Sequence, residues 1–100
     1  MANNYAAQLK ELLSLTVKQQ ASDLHLSCSH APVLRIFGSL VPLLKNKKLS
    51  AQDTQGLARV LTTDEQYERL FKEKEIDFSY SFEGDARFRV NIFFQRGSIS

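Results

Sequence analysis

Residues 75–97 read EIDFSYSFEGDARFRVNIFFQRG, and this stretch decides the fold. Ile76, Phe78, Tyr80 and Phe82 alternate with Asp77, Ser79 and Ser81; after Glu83-Gly84-Asp85, the residues Phe88, Val90, Ile92 and Phe94 alternate with Arg87, Arg89, Asn91, Phe93 and Gln95. A period of two marks a strand with one buried face, and two such runs joined by a short glycine-containing loop form an antiparallel hairpin. If the aromatic and aliphatic set faces the core, Arg87, Arg89 and Asn91 must face outward. Arg96-Gly97 then makes the next turn, and Ser98-Ile99-Ser100 opens a further strand.

Upstream of this hairpin the pattern is mixed. Residues 4–18 place Tyr5, Leu9, Leu12, Leu13 and Val17 at helical spacing, with Asn3 or Asn4 as cap. Residues 22–28 alternate as a strand, with Leu24, Leu26 and Cys28 on the apolar face and Asp23, His25 and Ser27 opposite. Val33 to Phe37 follows Pro32 as a second strand, Gly38-Ser39 reads as a hairpin turn, and Leu40 to Leu44 returns as a third strand with Pro42 at an edge. Ser50 with Asp53, and Thr63 with Gln66, are helix starts. The first of these helices carries Leu57, Val60 and Leu61, and the second, running to about Lys74, carries Tyr67, Leu70 and Phe71. One helix, three strands, two helices and a long hairpin make an α+β domain, an antiparallel sheet covered by helices.

Composition narrows the function. One hundred residues, 43% of them hydrophobic and 24% charged, suit one domain with a complete core. No apolar run approaches the roughly 20 residues of a membrane-spanning helix, and no secretory signal is read at the N-terminus. The single cysteine, Cys28, cannot form an internal disulfide, which fits a reducing compartment. There is no phosphate loop, no Gly-x-Gly-x-x-Gly and no Cys-x-x-Cys. Charge is segregated: residues 1–50 hold six basic and two acidic side chains, residues 51–85 four and nine, and residues 86–100 only Arg87, Arg89 and Arg96. A row of guanidinium groups suits bidentate phosphate or carboxylate binding. The plain alternative is a solvated strand face on which Arg87 or Arg89 pairs with Asp77 or another acid. His25 beside Asp23 has no second ligand at metal spacing, so no metal site is read.

Three segments taken together resemble one family. Ala21-Ser22-Asp23-Leu24-His25-Leu26, Pro32-Val33-Leu34-Arg35-Ile36-Phe37-Gly38, and Glu75–Tyr80 with Ala86–Gly97 resemble the first strand, the second strand with its turn, and the last hairpin of the type IV pilus retraction ATPases, within the secretion-ATPase superfamily. The resemblance implies that residues 1–100 form a single N-terminal PAS-like domain, with the C-terminal RecA-like ATPase core absent from this chain. It implies a parent that is a cytoplasmic homo-hexamer, peripheral to the inner membrane, using ATP and Mg and working with the pilus inner-membrane machinery. The domain itself would hold no cofactor and would not be an enzyme. Its partners would be the RecA-like cores of its own and neighbouring subunits. Matching motif to motif, Arg89 and Arg96, with Arg87, would reach nucleotide phosphates on an adjoining core as the ring closes. Asp23 and His25 would be structural, fixing their strand against the neighbouring helix.

Two other functions fit the residues. A PAS-like small-molecule sensor or protein-interaction domain could use Phe78, Tyr80, Phe82, Phe88 and Phe94 to line a pocket. Nucleic-acid binding on the basic strand would need outward aromatics, and only Phe93 is expected there; a net charge of +2 also disfavours it.

Overall fold

The computed structural model describes residues 4–43, 45–84, 86–95 and 97–99. Helix α1 (Tyr5–Lys18) is followed by strands β1 (Asp23–His25), β2 (Val33–Ile36) and β3 (Ser39–Pro42), helices α2 (Ala51–Leu61) and α3 (Asp64–Glu73), and strands β4 (Glu75–Phe82), β5 (Ala86–Gln95) and β6 (Ser98–Ile99). The α+β class is the one the sequence implies. The strands are divided, however, between two three-stranded antiparallel sheets, β1-β2-β3 and β4-β5-β6.

Each helix start has a local cause. The Asn4 side chain accepts a hydrogen bond from the Ala7 amide and opens α1; Asn3, the other candidate cap, lies outside the described residues. Ser50 and Asp53 form a reciprocal capping box at α2, and Thr63 and Gln66 form another at α3, each satisfying two amides that a helix end leaves without partners. Lys74 closes α3 in the left-handed region, its amide bonding the Leu70 carbonyl.

The α1 stripe differs from the apolar pattern by one position. Leu9, Leu12, Leu13 and Thr16 are buried, while Val17 is 49% exposed. Thr16 tolerates burial because its hydroxyl donates to the Leu12 carbonyl one turn back, at 2.7 Å. In α2, Thr54, Leu57 and Ala58 are buried, and Val60 and Leu61 only border the core. In α3, Leu70 alone is buried; Phe71 stands 38% exposed between Tyr67 and Phe94 in an edge-to-face ladder with centroid spacings of 4.9 and 5.3 Å.

The first sheet is shorter than the alternation suggests. Pairing of β1 with β2 covers Asp23↔Arg35 to His25↔Val33, after which the chain turns. Ser29 is in the left-handed region and the His30 amide bonds the Ser27 carbonyl. Cys28 makes only an isolated parallel bridge to Leu49. The β2–β3 turn is Phe37-Gly38 and not Gly38-Ser39, because Ile36 pairs with Ser39. A two-residue turn of this hand needs positive φ at both central positions, and Phe37 (48°) and Gly38 (82°) supply them. Phe37 is left 87% exposed at the tip.

Two clusters make the core. Leu9, Leu13, Leu49 and Leu57 form one, against which Tyr80, Phe82 and Phe88 pack. Ala58, Leu70, Ile76, Ile92 and Ile99 form the other, bordered by Phe78, Val90 and Phe94. Helix α1 meets α2 at Gly56, where the Tyr5 ring lies over the glycine and the Tyr5 hydroxyl donates to Asp53 Oδ1 at 3.0 Å.

Candidate functional site

Strand β5 behaves as its alternation requires. Phe88, Val90, Ile92 and Phe94 are buried or half-buried, and Arg87, Arg89, Asn91, Phe93 and Gln95 are exposed. The pairing with β4 sets what lies beside them on the outer face: Ser81 opposite Arg87, Ser79 opposite Arg89, and Asp77 opposite Asn91. Arg89 reaches diagonally to Asp77, with Nη2 to Oδ2 at 2.8 Å and Nε to Oδ1 at 3.3 Å. This two-point contact holds the Asp77 carboxyl below the usual carboxylate range and pushes the Arg89 guanidinium up; in both cases the mutual hydrogen bond is the main cause. Arg87 faces a serine and makes no ion pair among the described residues. Arg96 lies outside the described residues.

The Asp23 and His25 pair sits on β1, a strand that the chain order places some sixty residues from β5. Asp23 lies opposite Arg35 in the ladder, and its carboxylate takes the Arg35 Nε at 3.3 Å and the Ser22 hydroxyl at 2.9 Å. The ion pair therefore ties β1 to β2. Both partners are about half exposed, so it contributes at most ~1 kcal/mol. His25 is exposed. Arg35 is the residue whose role was not read from the sequence. The only signal for it is the opposite charge it carries across the first hairpin.

Tertiary packing brings these two strands to one place. A cleft of about 430 Å³ is lined on one side by residues 21–26, including Asp23 and His25, and on the other by residues 87–93 of β5, including Arg87, Arg89 and Asn91. Leu9 and Leu13 of α1 and Leu57 and Leu61 of α2 supply apolar lining, and Ile99 of β6 also reaches it. Thus four of the five residues singled out in the sequence border one cleft. Among the described residues lining the cleft the one carboxylate, Asp23, is held by Arg35, while Arg87 and Arg89 add guanidinium groups. Such a face takes anions. Among the described residues no group of His, Cys, Asp and Glu could hold a metal ion, and no helix is long and apolar enough to cross a membrane.

A second polar surface lies along the aromatic ladder. The Arg59 guanidinium sits 5.1 Å from the Tyr67 centroid and the Lys74 ammonium 4.8 Å from that of Phe94. Arg59 also binds Asp64 and the Thr62 carbonyl, which pins the short α2–α3 connection.

No family model matches the chain. Known proteins do. The chain is 38% identical over 91 residues to the type IV pilus retraction ATPase PilT of Pseudomonas aeruginosa, a match covering 87% of this chain and 25% of that protein. It is 28% identical over 92 residues to the type IV pilus ATPase PilU of the same organism, covering 92% of this chain and 24% of that protein. The chain thus spans about a quarter of the length of these relatives. Among solved structures, the pilus retraction motor PilT with bound ADP superposes with a TM-score of 0.83 at 31% identity, over 90% of this chain and 26% of the other. The Legionella pneumophila ATPase DotB superposes with a TM-score of 0.75 at 21% identity, over 94% of this chain and 26% of the other, a likeness of fold.

Proposed function

We propose, from the chain's place among PilT-like pilus ATPase domains, that it is the N-terminal PAS-like domain of a motor ATPase that powers type IV pilus retraction and twitching motility. One observation carries the reading: the chain follows PilT in sequence and in fold over most of its length. The parent would be a cytoplasmic homo-hexamer beside the inner membrane, hydrolysing ATP with Mg on a RecA-like core. This domain would hold no cofactor of its own and would supply inter-domain and inter-subunit contacts.

The chemistry assigned to it is phosphate binding by the β5 arginines. Arg89 is held at two points by Asp77, yet it is exposed and can exchange that carboxylate for a more highly charged phosphate. Arg87, with a serine opposite, needs no exchange. Arg96 completes the set by its place in the same motif. A guanidinium that meets the terminal phosphates only when the ring closes couples closure to nucleotide state and offsets charge developing on the leaving group. Arginine fingers contribute roughly 10³–10⁵ in rate; an arginine that mainly couples closure contributes less, about 10- to 100-fold.

In the full-length parent, Arg89→Ala is expected to lower kcat by at least about tenfold with the hexamer intact. An unchanged kcat removes Arg89 from the site. The 100-residue chain is expected to turn over no ATP, and clear hydrolysis by it overturns the reading. The cleft volume also suits a small organic ligand, which keeps a PAS-like sensor as the second reading.

A further inference from the structure

Arg87 and Arg89 leave β5 on the same face, yet they are held differently. Arg89 stands opposite Ser79 and Arg87 opposite Ser81, so neither meets an acid directly across the ladder. The diagonal neighbour makes the difference. Asp77 lies diagonal to Arg89, within reach of a long side chain. Arg89 grips it with Nε at 3.3 Å and Nη2 at 2.8 Å. Asn91, directly opposite Asp77, turns its amide to the Ile76 carbonyl and leaves the carboxylate to the arginine. Arg87 has no such neighbour. Its diagonal residue on β4 is Ser79, and Glu83, the next acid past β4, is bound by Lys10 at 3.2 Å.

The choice of nitrogens has a chemical consequence. A guanidinium is planar and carries five N–H groups. Nε–H and the nearer Nη2–H lie along one edge of the plane, and that is the edge Asp77 takes. The second Nη2–H and the two on Nη1 are left. Together the Nη1–Nη2 end forms another fork, matched to two oxygens of one phosphate. Among the described residues nothing occupies it. The Arg89 side chain is 84% exposed, so this end is open to a ligand. Exchange of carboxylate for phosphate is therefore open to Arg89 but is not required.

We infer that Asp77 is a positioning residue, which grips one edge of Arg89 so that the free Nη1–Nη2 fork is set before a phosphate arrives. The inference deepens the phosphate role proposed for Arg89 and rests on it. A loose arginine gives up rotamer freedom when it binds. One already fixed in plane gives up less, and its fork meets the phosphate at a set angle. Arg87, without a partner of this kind among the described residues, is ordered only on contact. The Asp77 charge itself opposes binding, since a carboxylate and a phosphate on one guanidinium repel. The gain therefore falls on orientation in the reacting complex and not on holding ATP, which separates kcat from KM.

Two measurements test it. In the 100-residue chain, NMR relaxation of the arginine Nε–H groups reports their order directly. Arg89 Nε should be rigid and Arg87 Nε mobile, and Asp77→Asn should release Arg89 to the mobility of Arg87 while the backbone spectrum stays folded. Equal mobility of the two in the native chain overturns the inference. In the full-length parent, ATP hydrolysis is compared for the native protein, Asp77→Asn, Arg89→Ala and the double variant. Asp77→Asn keeps the shape and loses the two-point grip; it is expected to lower kcat by about 3- to 10-fold without raising KM for ATP. In the Arg89→Ala background it should change neither, because it acts through Arg89. A loss that persists in that background marks a merely structural role and overturns the inference. A fall in KM with kcat unchanged or raised also overturns it, since Asp77 would then compete with ATP for the arginine. If Arg89→Ala itself leaves kcat unchanged, the phosphate role of Arg89 fails and this inference with it. If Arg89→Ala lowers kcat and Asp77→Asn does not, this inference alone is overturned.

Discussion

Replacing Gly56 with alanine is a sharp test of the α1–α2 packing. In an isolated helix the change is favourable, because glycine is about 1 kcal/mol worse than alanine in a helix interior. Here a Cβ at position 56 would overlap the Tyr5 ring, whose Cγ lies 2.8 Å away and whose Cδ2 and Cε2 lie closer still. Overpacking of this kind costs about 1–3 kcal/mol. Displacing the ring also removes the Tyr5 hydroxyl from Asp53, a further ~1 kcal/mol. Subtracting the propensity gain leaves Gly56→Ala destabilising by about 1–3 kcal/mol, and each kcal/mol lowers the Tm of a domain this size by about 4–8 °C. In a Tyr5→Ala background the clash is gone, and Gly56→Ala should instead stabilise by about 0.5–1 kcal/mol. Urea denaturation of the four chains measures this sign reversal as a coupling energy. Stabilisation by Gly56→Ala in the otherwise native chain refutes the close approach.

Three further outcomes are expected. At the outer face of β5, Arg89 depresses the folded-state pKa of Asp77, so this stabilisation is present above the ordinary unfolded value, ~3.9, and is lost as pH falls through the depressed value; NMR titration of the Asp77 carboxyl should show a midpoint that rises in Arg89→Ala, and a midpoint that stays put removes the pair. On α1, Thr16→Val should cost about 0.5–1.5 kcal/mol through loss of the bond to the Leu12 carbonyl, while Val17→Ser stays within about 0.5 kcal/mol; the opposite ranking in denaturant would restore Val17 to the core. At the hairpin tip, Phe37→Asn should stabilise by about 0.5–1 kcal/mol, since asparagine accepts positive φ more readily than phenylalanine; a lower melting temperature would mean that the ring contributes to the fold.

The hairpin of β4 and β5 was legible because one face is buried and the other wet, so hydropathy reports the backbone period directly. Both capping boxes were legible because they are local, each formed by residues three apart. The misreadings came where another interaction outweighed hydropathy. Thr16 enters the core by bonding its own helix, and Val17 is displaced to the surface. The apolar alternation of Leu24, Leu26 and Cys28 runs past the end of β1, because the turn at Ser27–His30 leaves no trace in that pattern. Gly38 marked the hairpin turn but did not say that Phe37 would share the positive φ. Of the site, the arginine face followed from alternation alone. The cleft did not, because it depends on β1 and β5 meeting in space, and the partnership of Asp23 with Arg35 depends on a register that only folding sets.

Helix α2 places two consecutive residues in different cores, Leu57 in the cluster with α1 and Ala58 in the cluster with β4, β5 and β6. A wall shared in this way makes the domain a single cooperative unit. Neither half can melt without stripping the other of one side of its interior, so a partially unfolded form that keeps only one half has little to hold it. The small side chain at 58 sets how near the second cluster sits to the helix, and the large one at 57 fills the first. Exchanging the two would preserve total volume and still damage both halves at once, so this short segment tolerates substitution less than its length suggests.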